Sequence, residues 1–79
     1  MERRLKLTDE VLGKLKAIGI QVTGFTDYLQ DGTVSASYCS FISSNQLSRL
    51  AEIDGFYGIG MGQHSSLLFR VNAVEEFYK

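Results

Sequence analysis

Two stretches of the chain carry matching signals for a short helix, and they constrain the fold more than any other feature. The first predicted helix follows Thr8, whose side chain suits an N-cap, and it ends before Gly19. The second follows Ser43, which has capping-box spacing with Gln46, and it closes at Gly55. Both helices have one apolar side, and each is followed by an apolar residue and a strand pattern. The chain is therefore predicted to consist of two helix-plus-hairpin units.

The segment from residue 21 to residue 42 has the pattern of a β-hairpin. Its turn is predicted at Asp31-Gly32, a favoured pair for a type I′ turn, which would pair Gln30 with Thr33. In that register one face is the better candidate for the core, and it carries Phe25, Leu29, Val34 and Tyr38. Asp27 is the polar exception on that face, which suggests a bulge or a position near the sheet end.

The second hairpin is predicted from Phe56 to Met61 and from Leu67 to Val71, with a longer loop between the strands. The tail from residue 72 to residue 79 is expected to add a short helical turn. Since each hairpin alone leaves a face uncovered, the economical α+β fold is a four-stranded antiparallel sheet with both helices on one face. If residues 2–7 form an edge strand, the alternative is a ferredoxin-like βαββαβ fold with an extra strand.

Chain length and composition favour a single domain over residues 1–79, without membrane segments. A chain of 79 residues has too little surface to bury for a second core. No stretch approaches the roughly 18 apolar residues that a membrane span needs. The single cysteine, Cys39, cannot form an internal disulfide, which favours the cytoplasm. No cofactor motif or set of metal-ligating residues is recognisable, so neither a cofactor nor a metal is expected.

The charge balance does not favour nucleic acid as the main partner. Eight Lys and Arg residues oppose nine Asp and Glu residues, for a net charge of -1, so there is no general attraction to phosphates. A local excess of basic residues near the start still supports a nucleic-acid-binding alternative. The residues that would carry it are Arg3, Arg4, Lys6, Lys14 and Lys16.

Neither His64 nor Cys39 has sequence neighbours that would make it a catalytic base or nucleophile. His64 is the only histidine, and its two neighbouring serines are adjacent in sequence without a third group to orient the ring. Cys39 has no nearby cation in sequence that would lower its pKa. The chain is therefore expected not to be an enzyme and to have no catalytic residues.

The sheet face opposite the predicted core is the expected functional surface. Gly58, Gly60 and Gly62 alternate, so they share one strand face and leave a strip of bare backbone. Both helices are predicted on the other side, so aromatic residues on this face would stay uncovered. The predicted function is binding of another protein, or of a second copy of the chain, with a small ligand on the glycine strip as an alternative. The predicted contact residues are Val22, Tyr28, Phe41, Gly58 and Gly60, with His64 at the rim.

Overall fold

The computed structural model describes residues 2–38, 41–60 and 65–79. In this part of the chain two α-helices and six β-strands form an α+β fold. The elements, in chain order, are β1 Arg3–Leu7, α1 Asp9–Ile18, β2 Val22–Tyr28, β3 Thr33–Tyr38, α2 Ser44–Ala51, β4 Phe56–Gly60, β5 Ser66–Arg70 and β6 Val74–Tyr78, with a 3₁₀ turn at Val71–Ala73 before β6.

Both helix starts and the end of α1 follow from local hydrogen bonds, as the sequence predicts, whereas α2 ends at Ala51 with Glu52 as its C-cap, before the predicted end at Gly55. At α1 the Thr8 hydroxyl accepts a hydrogen bond from the N–H of Val11, and Gly19 adopts the left-handed conformation with φ 90° at the other end. At α2 the Ser43 hydroxyl accepts from the N–H of Gln46, whose side-chain oxygen accepts from the N–H of Ser43. The capping box is therefore complete, because each residue satisfies a free donor of the other.

The strands form two antiparallel sheets rather than one. The four strands of the two hairpins lie in the order β2-β3-β5-β4, and β1 pairs with β6 in a separate ribbon. The tail is a strand from Val74 to Tyr78, so the helical turn predicted between residues 72 and 79 is limited to the 3₁₀ turn at Val71–Ala73. Residues 2–7 do include a strand, yet it does not join the larger sheet as the ferredoxin-like alternative requires. Opposite charges support the ribbon, since Lys6 lies across from Glu75.

The first hairpin has a longer turn than the sequence predicts. Tyr28 pairs with Thr33 and Asp27 with Val34, so the loop has four residues. A type I′ turn needs positive φ at both central residues, but only Gly32 has it there, with φ 67°. The register is shifted by two residues from the predicted one. Because side chains alternate with a period of two, an even shift leaves the face assignment unchanged.

A bulge changes the face of one predicted contact residue. The register shifts by one between Val22 and Gly24, so Val22 pairs with Tyr38 and packs against the core. The placement of Val22 on the uncovered face is therefore wrong. The prediction for Phe41 also needs correction, because β3 ends at Tyr38 and Phe41 lies beyond it with 90% of its surface exposed.

The core lies on one face of the four-stranded sheet. Buried residues of both helices and of β1 belong to the same cluster as Val34 and Ala36 of β3 and Leu67 and Phe69 of β5. The rest of that cluster is Leu5, Leu7, Val11, Leu15, Ile20, Leu50, Ile53 and Ala73. Phe25 and Leu29 were predicted to be buried, but Phe25 lies in the edge strand β2 and Leu29 in the turn after it, and they stay exposed by 54% and 37%.

Candidate functional site

The opposite face of the four-stranded sheet is the candidate site. Cross-strand partners share a face, so the partners of Val34, Ala36, Leu67 and Phe69 lie on the core side and the residues between them lie on the other. We call this second side the open face. Its residues are Gly24, Thr26, Tyr28, Thr33, Ser35, Ser37, Tyr57, Gly58, Gly60, Ser66, Leu68 and Arg70.

One end of the open face carries all of its large polar side chains. The Tyr57 hydroxyl donates to Oγ1 of Thr33 at 3.4 Å, so the tyrosine ring lies across the intervening strand β5. The Arg70 guanidinium lies 4.6 Å from the centre of that ring, in cation–π geometry. Tyr28 completes this end, and both tyrosines keep more than 40% of their surface exposed. We call these four residues the tyrosine end.

The other end of the open face is almost bare backbone. Gly24 pairs with Ser37, Ser37 with Ser66, and Ser66 with Gly60, so one row across all four strands contains only glycine and serine. We call this row the glycine end. A Cβ added to Gly24 would meet no heavy atom within 4 Å, whereas one added to Gly60 would lie 2.7 Å from the Ser66 hydroxyl oxygen. The surface is therefore low and open beside Gly24 and filled by neighbouring side chains beside Gly60.

Between the two ends, the middle row combines one apolar side chain with free space. Leu68 is only partly buried, and it lies across from Gly58 on one side and Ser35 on the other. A Cβ on Gly58 would also meet nothing within 4 Å. The glycine alternation noted in the sequence therefore does not serve close packing inside the chain at Gly58.

The predicted contact residues do not all lie on the same surface in the structure. Tyr28, Gly58 and Gly60 lie together on the open face, while Val22 and Phe41 do not. His64 lies outside the described residues, as does Cys39. Sequence reasoning missed Tyr57, Leu68 and Arg70 as members of the open face. The alternation in β5, where Leu67 and Phe69 are the apolar pair, was the available signal for Leu68 and Arg70.

The basic residues of the nucleic-acid alternative do not form a free cationic patch. Four of the five make ion pairs: Arg3 with Glu76 at 2.7 Å, Arg4 with Asp27 at 2.9 Å, Lys6 with Glu75 at 3.6 Å and Lys14 with Glu10 at 3.4 Å. Lys16 lies in the last turn of α1, where a cation suits the helix dipole. Phosphate binding would have to compete with these carboxylates.

The Arg4–Asp27 pair explains the polar exception on the core side of β2. The Arg4 guanidinium donates to both Asp27 oxygens at 2.9 Å, and the N–H of Leu5 donates to the same carboxylate at 3.1 Å. The hydrogen bonds from Arg4, followed by that from Leu5, hold the pKa of Asp27 well below its usual range. The same contact raises the pKa of Arg4. Asp27 thus ties β1 to β2 between the two sheets.

Two grooves lie outside the open face. A groove of about 360 Å³ lies beside β1 and is lined by Arg4, Leu5, Lys6, Leu7, Asp9, Leu12, Phe25, Asp27 and Phe77. A second, of about 280 Å³, lies between the helices and is lined by Lys14, Ala17, Ile18, Arg49, Glu52 and Ile53. In the first groove Arg4 and Asp27 are paired with each other and Lys6 is paired with Glu75. These three side chains are therefore already engaged within the chain.

Comparisons with other proteins add no assignment. No family model, curated protein or solved structure matches this chain. Across residues 2–38, 41–60 and 65–79, neither helix is long and apolar enough to cross a bilayer. The function must therefore be argued from the open face itself.

Proposed function

We propose that this chain is a non-enzymatic interaction module that binds a protein partner through the open face. The observation that carries the proposal is the combination of Tyr28, Tyr57, Leu68 and Arg70 on one sheet face, where both tyrosines keep more than 40% of their surface exposed although Thr33 and Ser35 of that face are buried. Tyrosine and arginine are enriched at protein interfaces because they offer large contact areas together with polar groups. The single cysteine fits a reducing compartment, and we place the interaction in the cytoplasm.

A protein fits this face better than the other partner classes considered. Surfaces that stack unpaired bases surround their aromatic residues with free cations, whereas Arg70 is the one charged residue of the open face and lies over Tyr57. Small-molecule sites are usually concave, but this surface is a sheet face with a low glycine end. The proposed contact residues are Tyr28, Gly58 and Gly60, together with Tyr57 and Arg70.

The proposal is tested by placing a photo-crosslinking phenylalanine analogue at residue 28 or at residue 25 in cells that express the chain. Both positions lie on β2 and have similar exposure, 47% for Tyr28 and 54% for Phe25, but they face opposite sides of the sheet. Irradiation is expected to give a protein adduct of defined mass from position 28 and none from position 25. Gel mobility and mass spectrometry of the adduct identify its second component.

A second variant separates specific contact from random capture. Gly58→Val adds a side chain where there is free space, so it should leave the fold intact and remove the adduct from position 28. An adduct that persists in this variant, or one that forms from position 25 alone, would refute the open face as the contact surface. Absence of any protein adduct from position 28 would refute the module itself.

A further inference from the structure

The open face changes height along its strands in a way that restricts what can cover it. At the tyrosine end, an arginine is stacked over a tyrosine ring, whereas at the glycine end a Cβ on Gly24 would meet nothing. A flat occupant in contact with the tyrosine end would leave a gap over the glycine end, and unfilled gaps lose dispersion contacts. The best-fitting occupant therefore has small residues over the tyrosine end and larger side chains over Gly24.

We infer that the occupant is a second copy of this chain, stacked face to face, an inference that rests on the proposed function. A two-fold axis that runs across the strands through the middle row reverses the strand direction of the second copy. The tyrosine end of each copy then lies on the glycine end of the other. To a first approximation, Tyr28 of one copy lies over the free space at Gly24 of the other, while Tyr57 lies over Gly60, where the Ser66 side chain already fills the surface.

The same arrangement places the apolar residue of the open face at its centre. Leu68 belongs to the middle row, so it lies on the axis and meets Leu68 of the second copy. Ser35 and Gly58 flank it in that row, so the contact has a small apolar centre and a polar surround. Interfaces between protein chains commonly have this organisation.

Charge distinguishes this arrangement from the other face-to-face dimer. Residue 70 lies two residues beyond the middle row, so the two guanidiniums would be about 13 Å apart along the strands. An axis parallel to the strands would instead place tyrosine end on tyrosine end, with the two Arg70 side chains about 5 Å apart across the strands. Like charges at that distance repel, and the tall ends would hold the sheets apart.

The size of the open face sets the expected strength of the dimer. Four strands about 4.8 Å apart and about five residues long cover roughly 300 to 400 Å². A stable interface usually buries about 800 Å² on each partner. The dimer should therefore dissociate easily, with a dissociation constant above about 1 μM, and monomer and dimer should exchange with concentration.

The test is sedimentation equilibrium of the full chain from about 5 μM to about 1 mM, a range that brackets the expected dissociation constant. The average mass of the wild-type chain should rise from 8.8 kDa towards twice that value. Gly58→Asp adds a side chain where the monomer has free space and should stay at the mass of one chain, because two carboxylates would face each other at the axis. Gly13→Ala on α1 and Phe25→Ser on the core side should behave as the wild type does.

Three outcomes would overturn the inference. A wild-type chain that stays at 8.8 kDa at the highest concentration excludes the dimer, while a photo-adduct with a different protein would still uphold the proposed function. Loss of dimer in Phe25→Ser, with dimer retained in Gly58→Asp, moves the interface to the groove beside β1. If added salt lowers the dissociation constant of the dimer several-fold, the two Arg70 side chains lie close together. That result would exclude the proposed orientation.

Discussion

Replacing Gly55 by alanine should destabilise the fold severely, and the structure allows the effect to be worked out. Gly55 has a φ of 99°, a conformation that side chains oppose. An added Cβ would lie 2.4 Å from the carbonyl oxygen of Arg70 and 2.6 Å from the Cβ of Ala73. These neighbours are backbone and a fully buried methyl group, so neither can rotate away.

Two contributions add up in Gly55→Ala. The left-handed conformation costs about 1 to 2 kcal/mol for a residue with a Cβ, and forcing extra atoms into a packed site costs about 1 to 3 kcal/mol. The expected loss is therefore about 2 to 5 kcal/mol. A domain of 79 residues has about 4 to 12 kcal/mol of stability in total, so the substitution removes a substantial part of it, and all of it only if the wild type lies at the lower end.

Urea unfolding followed by circular dichroism measures this loss. With a slope of about 1 kcal/mol per molar urea, the midpoint of Gly55→Ala should fall by about 2 to 5 M. The matched control is Gly13→Ala, in an exposed part of α1 where a Cβ meets nothing within 4 Å. That change should raise stability by about 0.5 to 1 kcal/mol, since glycine weakens helices. A Gly55→Ala midpoint within about 0.5 M of the wild type would refute the reasoning, because the slope makes such a shift only about 0.5 kcal/mol.

Two further substitutions test features outside the open face. Asp27→Asn should lower the urea midpoint at pH 7, because Arg4 and the N–H of Leu5 lose their carboxylate. The pKa of Asp27 is depressed in the folded state, so its contribution to the free energy of unfolding is complete above about pH 4 and is lost as the pH falls further. The difference in urea midpoint between wild type and Asp27→Asn should therefore shrink from pH 4 to pH 2. A difference in midpoint that stays constant would contradict this. Val71→Asn should raise the midpoint by about 1 M, because φ 57° strains a β-branched residue while asparagine tolerates it. Val71 is 70% exposed and has little packing to lose, so an unchanged or lower midpoint would show that no strain is relieved.

Features set by contacts between near neighbours could be predicted from the sequence. The caps at Thr8 and Ser43 depend on hydrogen bonds three residues along the chain, so their spacing is visible in the sequence. The faces of the first hairpin were also predictable, because Phe25, Asp27 and Val34 keep their side under an even register shift. Tyr28, Gly58 and Gly60 were consequently assigned to the correct face.

Features set by distant parts of the chain could not be predicted in the same way. The β1–β6 ribbon joins residues more than 60 positions apart, and its charge pairs are recognisable only once the register is known. The bulge that moves Val22 to the core side lies beside Gly24, and a strand glycine is a common but unspecific sign of a bulge. The role of Asp27 also depends on Arg4, which lies 23 positions earlier in the chain. A polar residue on a predicted core face was thus an indication of a distant partner.

The division of residues between the two sheet faces explains why association should be conditional. Strands β3 and β5 place Val34, Ala36, Leu67 and Phe69 on the core side, so the fold gains its apolar burial without the open face. The open face carries serine, threonine and glycine around Leu68; Thr33 and Ser35 are already buried in the monomer, and water can cover the exposed polar residues with little penalty. Because the monomer does not need that face to be buried, stacking adds only the burial of Leu68 and the tyrosine rings. A surface of this kind favours binding that varies with concentration, and it makes Gly58→Asp a change that should remove association without weakening the fold.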